Sequence, residues 1–201
     1  EILIGLVGSE MCIRDRNEAL KKVLPEFTNN PVAESDTIFS EKDGKKNVDF
    51  IVYPAKNGDN MVGTAVEAKS MGFGGELKVL VGFDAEGKIY NYSLLAHTET
   101  PGLGSKADKW FGAYDPAKGE QAVSHEESTK SILGMNPGEA ALTVSKDGGQ
   151  VDAITASTIT SRAFLNAVNA AYQAYKAGGG EVNGATGATT KVELTDSISA
   201  N

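Results

Sequence analysis

Apolar and polar positions change rhythm along the chain, and each change marks an element. At Asn17 begins NEALKKVLP, in which Leu20, Val23 and Leu24 fall at i, i+3 and i+4 and Pro25 ends the run, a spacing that predicts a short amphipathic helix. Three β-prone stretches follow, Thr37–Ser40, Val48–Tyr53 and Met61–Ala68, separated by the turn sequences KDGK and KNGDN, so a meander of hairpin strands is expected. After GFGG at Gly72–Gly75, the segment ELKVLVGF sets Leu77, Val79, Val81 and Phe83 in alternation, and DAEG turns the chain into a return strand over Lys88–Ala96. A further strand pair, Ala140–Ser145 with Gln150–Ile154, is predicted around KDGG. From Arg162 to Tyr175 the period lengthens again: Phe164, Val168, Tyr172 and Tyr175 share one helical face with Leu165 beside them, and the glycines from Gly178 end this second helix. Strands in a run with flanking helices predict an α+β fold, a single domain with an antiparallel sheet. The domain is expected over residues 17–177, followed by a Gly, Thr and Ser rich tail, 178–201, with little to bury.

Composition removes several functions. Nineteen Lys+Arg against 27 Asp+Glu leave a formal net charge of -8, without the basic footprint of a duplex binder, so no nucleic-acid partner is expected. One cysteine excludes an internal disulfide, a cysteine-ligated zinc and a cysteine-ligated iron–sulfur cluster, and two histidines do not make a His-rich metal centre. No apolar run approaches the ~18 residues of a spanning helix. Residues 1–16, EILIGLVGSEMCIRDR, resemble a translated sequencing-adapter read-through, above all in LVGSEMCIRDR, and are expected not to be native; Cys12 would then fall outside the protein.

The sequence holds no GxxxxGK[ST] phosphate loop, no GxGxxG after a strand, no HExxH and no GxSxG. Ser93, His97 and Glu99 do not make a triad by proximity, because neighbours on a strand project to opposite or offset faces. Two segments instead carry small hydroxylic residues and glycine where a core would want bulk. In HTETPGLG, His97–Gly104, Pro101 fixes φ and restricts Thr100, while Gly102 and Gly104 permit tight turning and leave room for a planar group against the backbone. In DAITASTITSR, Asp152–Arg162, threonines and serines crowd the mouth of the second helix, where free N–H groups and the positive end of the dipole suit a phosphate. The plain alternatives are an ordinary loop after a strand and an N-cap cluster led by Thr158 or Thr160.

With these segments in view, the chain from about Asn17 to Tyr175 resembles the FMN-binding domain of the G subunit of the Rnf electron-transport complex, and more loosely the C subunit of the sodium-translocating NADH:quinone reductase. The resemblance rests on EALKKVLP, GFGGELKVLVGFDAEGKI, HTETPGLGSKADKWF and VDAITASTITSRAFLNAV in that order. It implies covalent FMN, joined through its phosphate to a threonine hydroxyl by a separate flavin transferase that reads Asp-x-x-[Ser/Thr]-Gly-Ala-Thr. That pattern falls on Asp152, Thr155, Ala156, Ser157 and Thr158, which makes Thr158 the expected attachment residue, with Ile159 and Thr160 beside it. By the same resemblance, Glu99, Thr100, Gly102, Leu103 and Gly104 should lie against the flavin ring.

This sequence departs from the pattern where Gly-Ala becomes Ala156-Ser157, with less backbone freedom and an added hydroxyl. The tail holds a second match, Asn183 to Thr189, whose TGAT core is closer but lacks the aspartate; the acidic spacing and the helix behind it favour Thr158. Trp110 and Phe111 read as packing residues, His125 as solvated, and Lys106 stays open between the flavin phosphate and solvent. The resemblance implies an electron-transfer subunit with no activity expected alone. Its partners would be other subunits of an inner-membrane, ion-translocating complex, with the domain on the extracytoplasmic side behind an N-terminal helix absent from this sequence. The alternatives are a module that holds FMN noncovalently and a cofactor-free interaction domain.

Overall fold

A computed structural model describes residues 13–42, 45–112 and 131–178. Helix α1, Ile13–Val23, precedes five strands, β1 Asp36–Lys42, β2 Lys45–Asn57, β3 Asn60–Met71, β4 Glu76–Asp84 and β5 Ile89–Ala96; a short α2, Ala107–Trp110, and a long α3, Thr158–Ala177, complete the order. The strands form one antiparallel sheet in sequence order. The α+β arrangement read from the sequence is therefore present.

Alternation along β4 explains how both helices find the sheet. Val79, Val81 and Phe83 point to the face that carries α3, where Phe164, Leu165, Val168, Tyr172 and Tyr175 are buried with them. Leu80 points to the other face and joins Leu20 and Val23 of α1, and Leu24 just after it, around the fully buried Tyr53. Burying each such side chain contributes about 1.5–3 kcal/mol before ordering costs, so a strand buried on both faces anchors the fold. Gly82 is where α1 crosses the sheet: a Cβ there would run into the backbone carbonyl of Val23. Phe83 meets Tyr172 edge-on at 5.6 Å between centroids, and Phe111 stacks on Phe164 at 4.5 Å.

One predicted element is corrected. Ala140–Ser145 and Gln150–Ile154 do not form a strand pair; a single bridge, parallel in sense, joins Val144 to Val151, and the KDGG segment makes a 3₁₀ turn, Ser145–Asp147, closed by Gly148 at φ +83°. The cause is the helix beside it. The Asn169 amide of α3 accepts from the Leu142 N–H and donates to the Leu142 carbonyl, both at 2.9 Å, satisfying backbone groups that a partner strand would otherwise take. The second helix also begins earlier than its apolar stripe, at Thr158. Residues 1–12, His125 and the tail match at Asn183–Thr189 lie outside the described residues.

Candidate functional site

The mouth of α3 is built by a short turn. Ser157 occupies the N-cap with no side-chain capping bond, and Thr158 is the first helical residue. Ser161, fully buried, ties the turn together: its hydroxyl donates to the Ser157 carbonyl and accepts from the Ile154 N–H, each at 2.9 Å. Ahead of the cap stands Ala156 at φ +62°, in the left-handed region that glycine enters freely and alanine enters at a cost of ~1–2 kcal/mol. The departure from Gly-Ala thus falls on the one described non-glycine residue with positive φ.

Against this helix mouth the segment after β5 folds back. Thr100 accepts backbone bonds from Leu103 and Ser105, Gly102 takes φ +75°, and the turn leads into a 3₁₀ turn at Gly104–Lys106 and then α2. Tyr92 of β5 holds that unit in place: its buried hydroxyl donates to the Ala107 carbonyl at 2.8 Å and accepts from the Phe111 N–H at 3.1 Å. Burial pushes the Tyr92 phenol well above its usual range, so it stays protonated as a donor.

Between the two segments lies a cleft of about 400 Å³, within the usual ~300–1,000 Å³ of small-molecule sites. Glu99, Thr100, Leu103 and Gly104 line one side, Ala156, Ser157, Thr158, Ile159 and Thr160 the other, and Phe73 from the loop between β3 and β4 stands at its edge. Phe73, Leu103 and Ile159 are exposed apolar side chains here, an arrangement suited to a flat ring. Asp152, Thr155 and Gly102 stand outside the lining. The Asp152 carboxylate accepts from the Ser145 hydroxyl at 3.4 Å and its carbonyl from the Trp110 indole at 2.8 Å; Thr155 is exposed, and the Gly102 N–H donates to Ser105. Phe111 belongs to the buried core cluster, and the partly buried Trp110 packs against it.

Two residues escaped the sequence reading. Phe73 carried a signal, an isolated aromatic between glycines that no alternation accounts for. Lys146 carried none: the Ser145–Asp147 turn places its ammonium 3.3 Å from the Thr158 hydroxyl. Arg162 secures that turn with a two-pronged ion pair to Asp147, both contacts at 2.7 Å, and holds the Asp147 carboxyl below its usual range. Lys106, by contrast, is exposed and outside the lining.

This geometry coincides with a family match: the family model described as an FMN-binding domain covers residues 72–173, from the glycine loop into α3. The chain belongs to the FMN-binding domain family. Its similarity to curated proteins agrees. It is 31% identical over 160 residues to the G subunit of the ion-translocating oxidoreductase complex of Stutzerimonas stutzeri, covering 77% of this chain and 62% of the relative. It is 33% identical over 153 residues to the protein of the same name in Cereibacter sphaeroides, covering 75% and 63%. To the G subunit of the Na(+)-translocating ferredoxin:NAD(+) oxidoreductase complex of Acetobacterium woodii it is 31% identical over 172 residues, covering 83% and 77%. The chain thus spans a little over three fifths of the first two relatives. Among the described residues no helix is long and apolar enough to cross a membrane, and no cluster of His, Cys, Asp and Glu could hold a metal.

The cleft fits the group that defines the family. Its apolar edge accommodates a ring, and the N–H groups of Thr158, Ile159 and Thr160, which precede the first intrahelical bond of α3 at Ser161, accommodate a phosphate with Lys146 alongside.

Proposed function

We propose that this chain is an FMN-carrying electron-transfer component of a membrane, ion-translocating oxidoreductase complex, with the flavin phosphate esterified to Thr158. The observation that carries this reading is the placement of the Thr158 hydroxyl at the first position of α3, at the cleft and 3.3 Å from Lys146, in a chain of the FMN-binding family. FMN bound here supplies electron-transfer chemistry. The chain's own contribution is positional: Thr158 offers the oxygen for attachment, the first-turn N–H groups and Lys146 offset the phosphate charge, and Phe73, Leu103 and Ile159 shield a ring from water.

A threonine hydroxyl is a weak nucleophile, so attachment calls for a flavin transferase and an activated flavin nucleotide. The Thr158 oxygen forms the new bond to phosphorus, its proton leaves, and the donor's leaving group departs from the same phosphorus, so that the adduct equals FMN minus water. On this reading the partners are the other subunits of the complex, and the domain works on the extracytoplasmic side. A specific observation supports one alternative, noncovalent FMN: the attachment motif carries an alanine at φ +62° where a transferase reads glycine.

Co-expression with a flavin transferase, a denaturing gel viewed under ultraviolet light and tryptic mass spectrometry test both. Covalent attachment predicts fluorescence that survives denaturation, with the adduct on the peptide Asp147–Arg162 and lost in Thr158→Ala. Flavin that leaves on denaturation, with a known substrate of the same transferase labelled in parallel, replaces the covalent reading by the noncovalent one. The adduct on Ala177–Lys191 would move the site to the tail.

A further inference from the structure

Glu99, expected against a flavin ring, lines the cleft, and each oxygen of its carboxylate also accepts a bond within the protein. The residue is 5% exposed. One oxygen accepts from the hydroxyl of Thr160, itself 1% exposed, at 2.6 Å; the other accepts from the Gly74 N–H at 3.0 Å. Thr98 adds a parallel tie, its hydroxyl donating to the Gly74 carbonyl at 2.8 Å. Small residues surround the carboxylate because it fills their side-chain space: a Cβ on Gly72 would strike one oxygen, and a Cβ on Gly104 would lie 2.5 Å from the other and 2.9 Å from the Thr160 hydroxyl.

We propose that Glu99 is a positioning residue, a buried latch that joins the 72–75 loop, which carries Phe73, to the first turn of α3, which carries Ile159, and so sets the separation of the cleft walls. The latch spans three chain segments far apart in sequence, since Thr160 is 61 residues and Gly74 25 residues from Glu99. Each oxygen holds one bond to a cleft wall, and it is through those walls that Glu99 acts on a flavin in this proposal. That consequence rests on the FMN reading above; the latch itself does not.

The test separates the two. Amide hydrogen exchange is measured on flavin-free protein, wild type and the variants Glu99→Ala, Glu99→Gln and Gly104→Ala. Glu99→Ala is expected to accelerate exchange at Gly74 by about ten- to a hundredfold, the loss of a bond to a charged acceptor, and to loosen the first turn of α3. Glu99→Gln is expected to stay within about threefold of wild type, because its amide oxygen accepts from Gly74 while its nitrogen donates to the Thr160 oxygen. Gly104→Ala, which leaves Glu99 in place but crowds the pair, should reproduce the alanine result; if Glu99→Ala does not fold, Gly104→Ala and Thr160→Val carry the measurement. The same proteins loaded with FMN are then compared by visible circular dichroism, expected to change in Glu99→Ala and Gly104→Ala and to persist in Glu99→Gln. Unchanged Gly74 exchange in the disrupting variants, or glutamine behaving as alanine does, overturns the latch. Accelerated exchange with an unaltered flavin spectrum overturns its role in setting the walls. A wild type that takes up no flavin defeats the FMN reading while the exchange result stands.

Discussion

The ammonium of Lys146 sits 3.3 Å from the hydroxyl of Thr158, although the turn that carries it is anchored one helical turn further along α3, by Asp147 on Arg162. A cation held beside the first helical residue adds its charge to the positive end of the helix dipole. In a Thr158→Ala background, where only noncovalent binding is possible, Lys146→Met should weaken FMN binding by about three- to tenfold and flatten its salt dependence, as expected for an exposed ionic contact. Lys146→Arg should retain most of the affinity. Titration followed by flavin fluorescence at low and high salt checks both.

Ala156 stands at φ +62°, and Ala156→Gly removes that strain at the expense of a more flexible unfolded chain. A net stabilisation of about 0.5–1 kcal/mol is expected, a rise of ~1–4 °C in Tm. Thermal unfolding read by circular dichroism decides it, and an unchanged or lower Tm would show that the turn does not strain the alanine.

Tyr92→Phe keeps the ring that meets Phe164 at 4.9 Å but deletes a hydroxyl serving the Ala107 carbonyl and the Phe111 N–H. Two buried backbone groups lose their partner, so a destabilisation of about 2–3 kcal/mol is expected in urea unfolding. Because Ala107 continues from the turn that lines the cleft, flavin affinity should fall as well.

Asp147 is held below its usual range by the hydrogen bonds from Arg162. A carboxyl whose folded pKa is depressed stabilises the fold above its unfolded value and loses that contribution as pH falls through the folded one. The contact should therefore be intact at neutral pH and open only in acid, below about pH 4. Wild type and Asp147→Asn compared across that window should differ in the exchange of the Arg162 side-chain N–H groups at pH 6 and converge as acid is added.

Much of the sheet was legible because burial writes itself into a period. Leu77, Val79, Val81 and Phe83 alternate and all are buried; Phe164, Val168, Tyr172 and Tyr175 repeat at helical spacing and all are buried. The segment around KDGG misled for a definite reason. Its turn residues are those of a hairpin, but whether strands form depends on who satisfies their backbone groups, and here the amide of Asn169 does so from α3. The start of α3 was hidden likewise, since Thr158–Ser161 belong to the helix by backbone bonding and carry no apolar stripe.

Local sequence thus determined the elements that depend on nearest neighbours along the chain: the periods of β4 and α3, the turns at Gly58 and Gly87, and the two hydroxyl- and glycine-rich segments that bracket the cleft. Tertiary structure alone decided what depends on approach across the fold. It set Gly82 beneath the Val23 carbonyl, Lys146 beside Thr158, and the Glu99 carboxylate between Gly74 and Thr160. The physical reason is range: a periodic pattern records which face is dry, whereas a hydrogen bond or a missing Cβ records which distant atom arrives there.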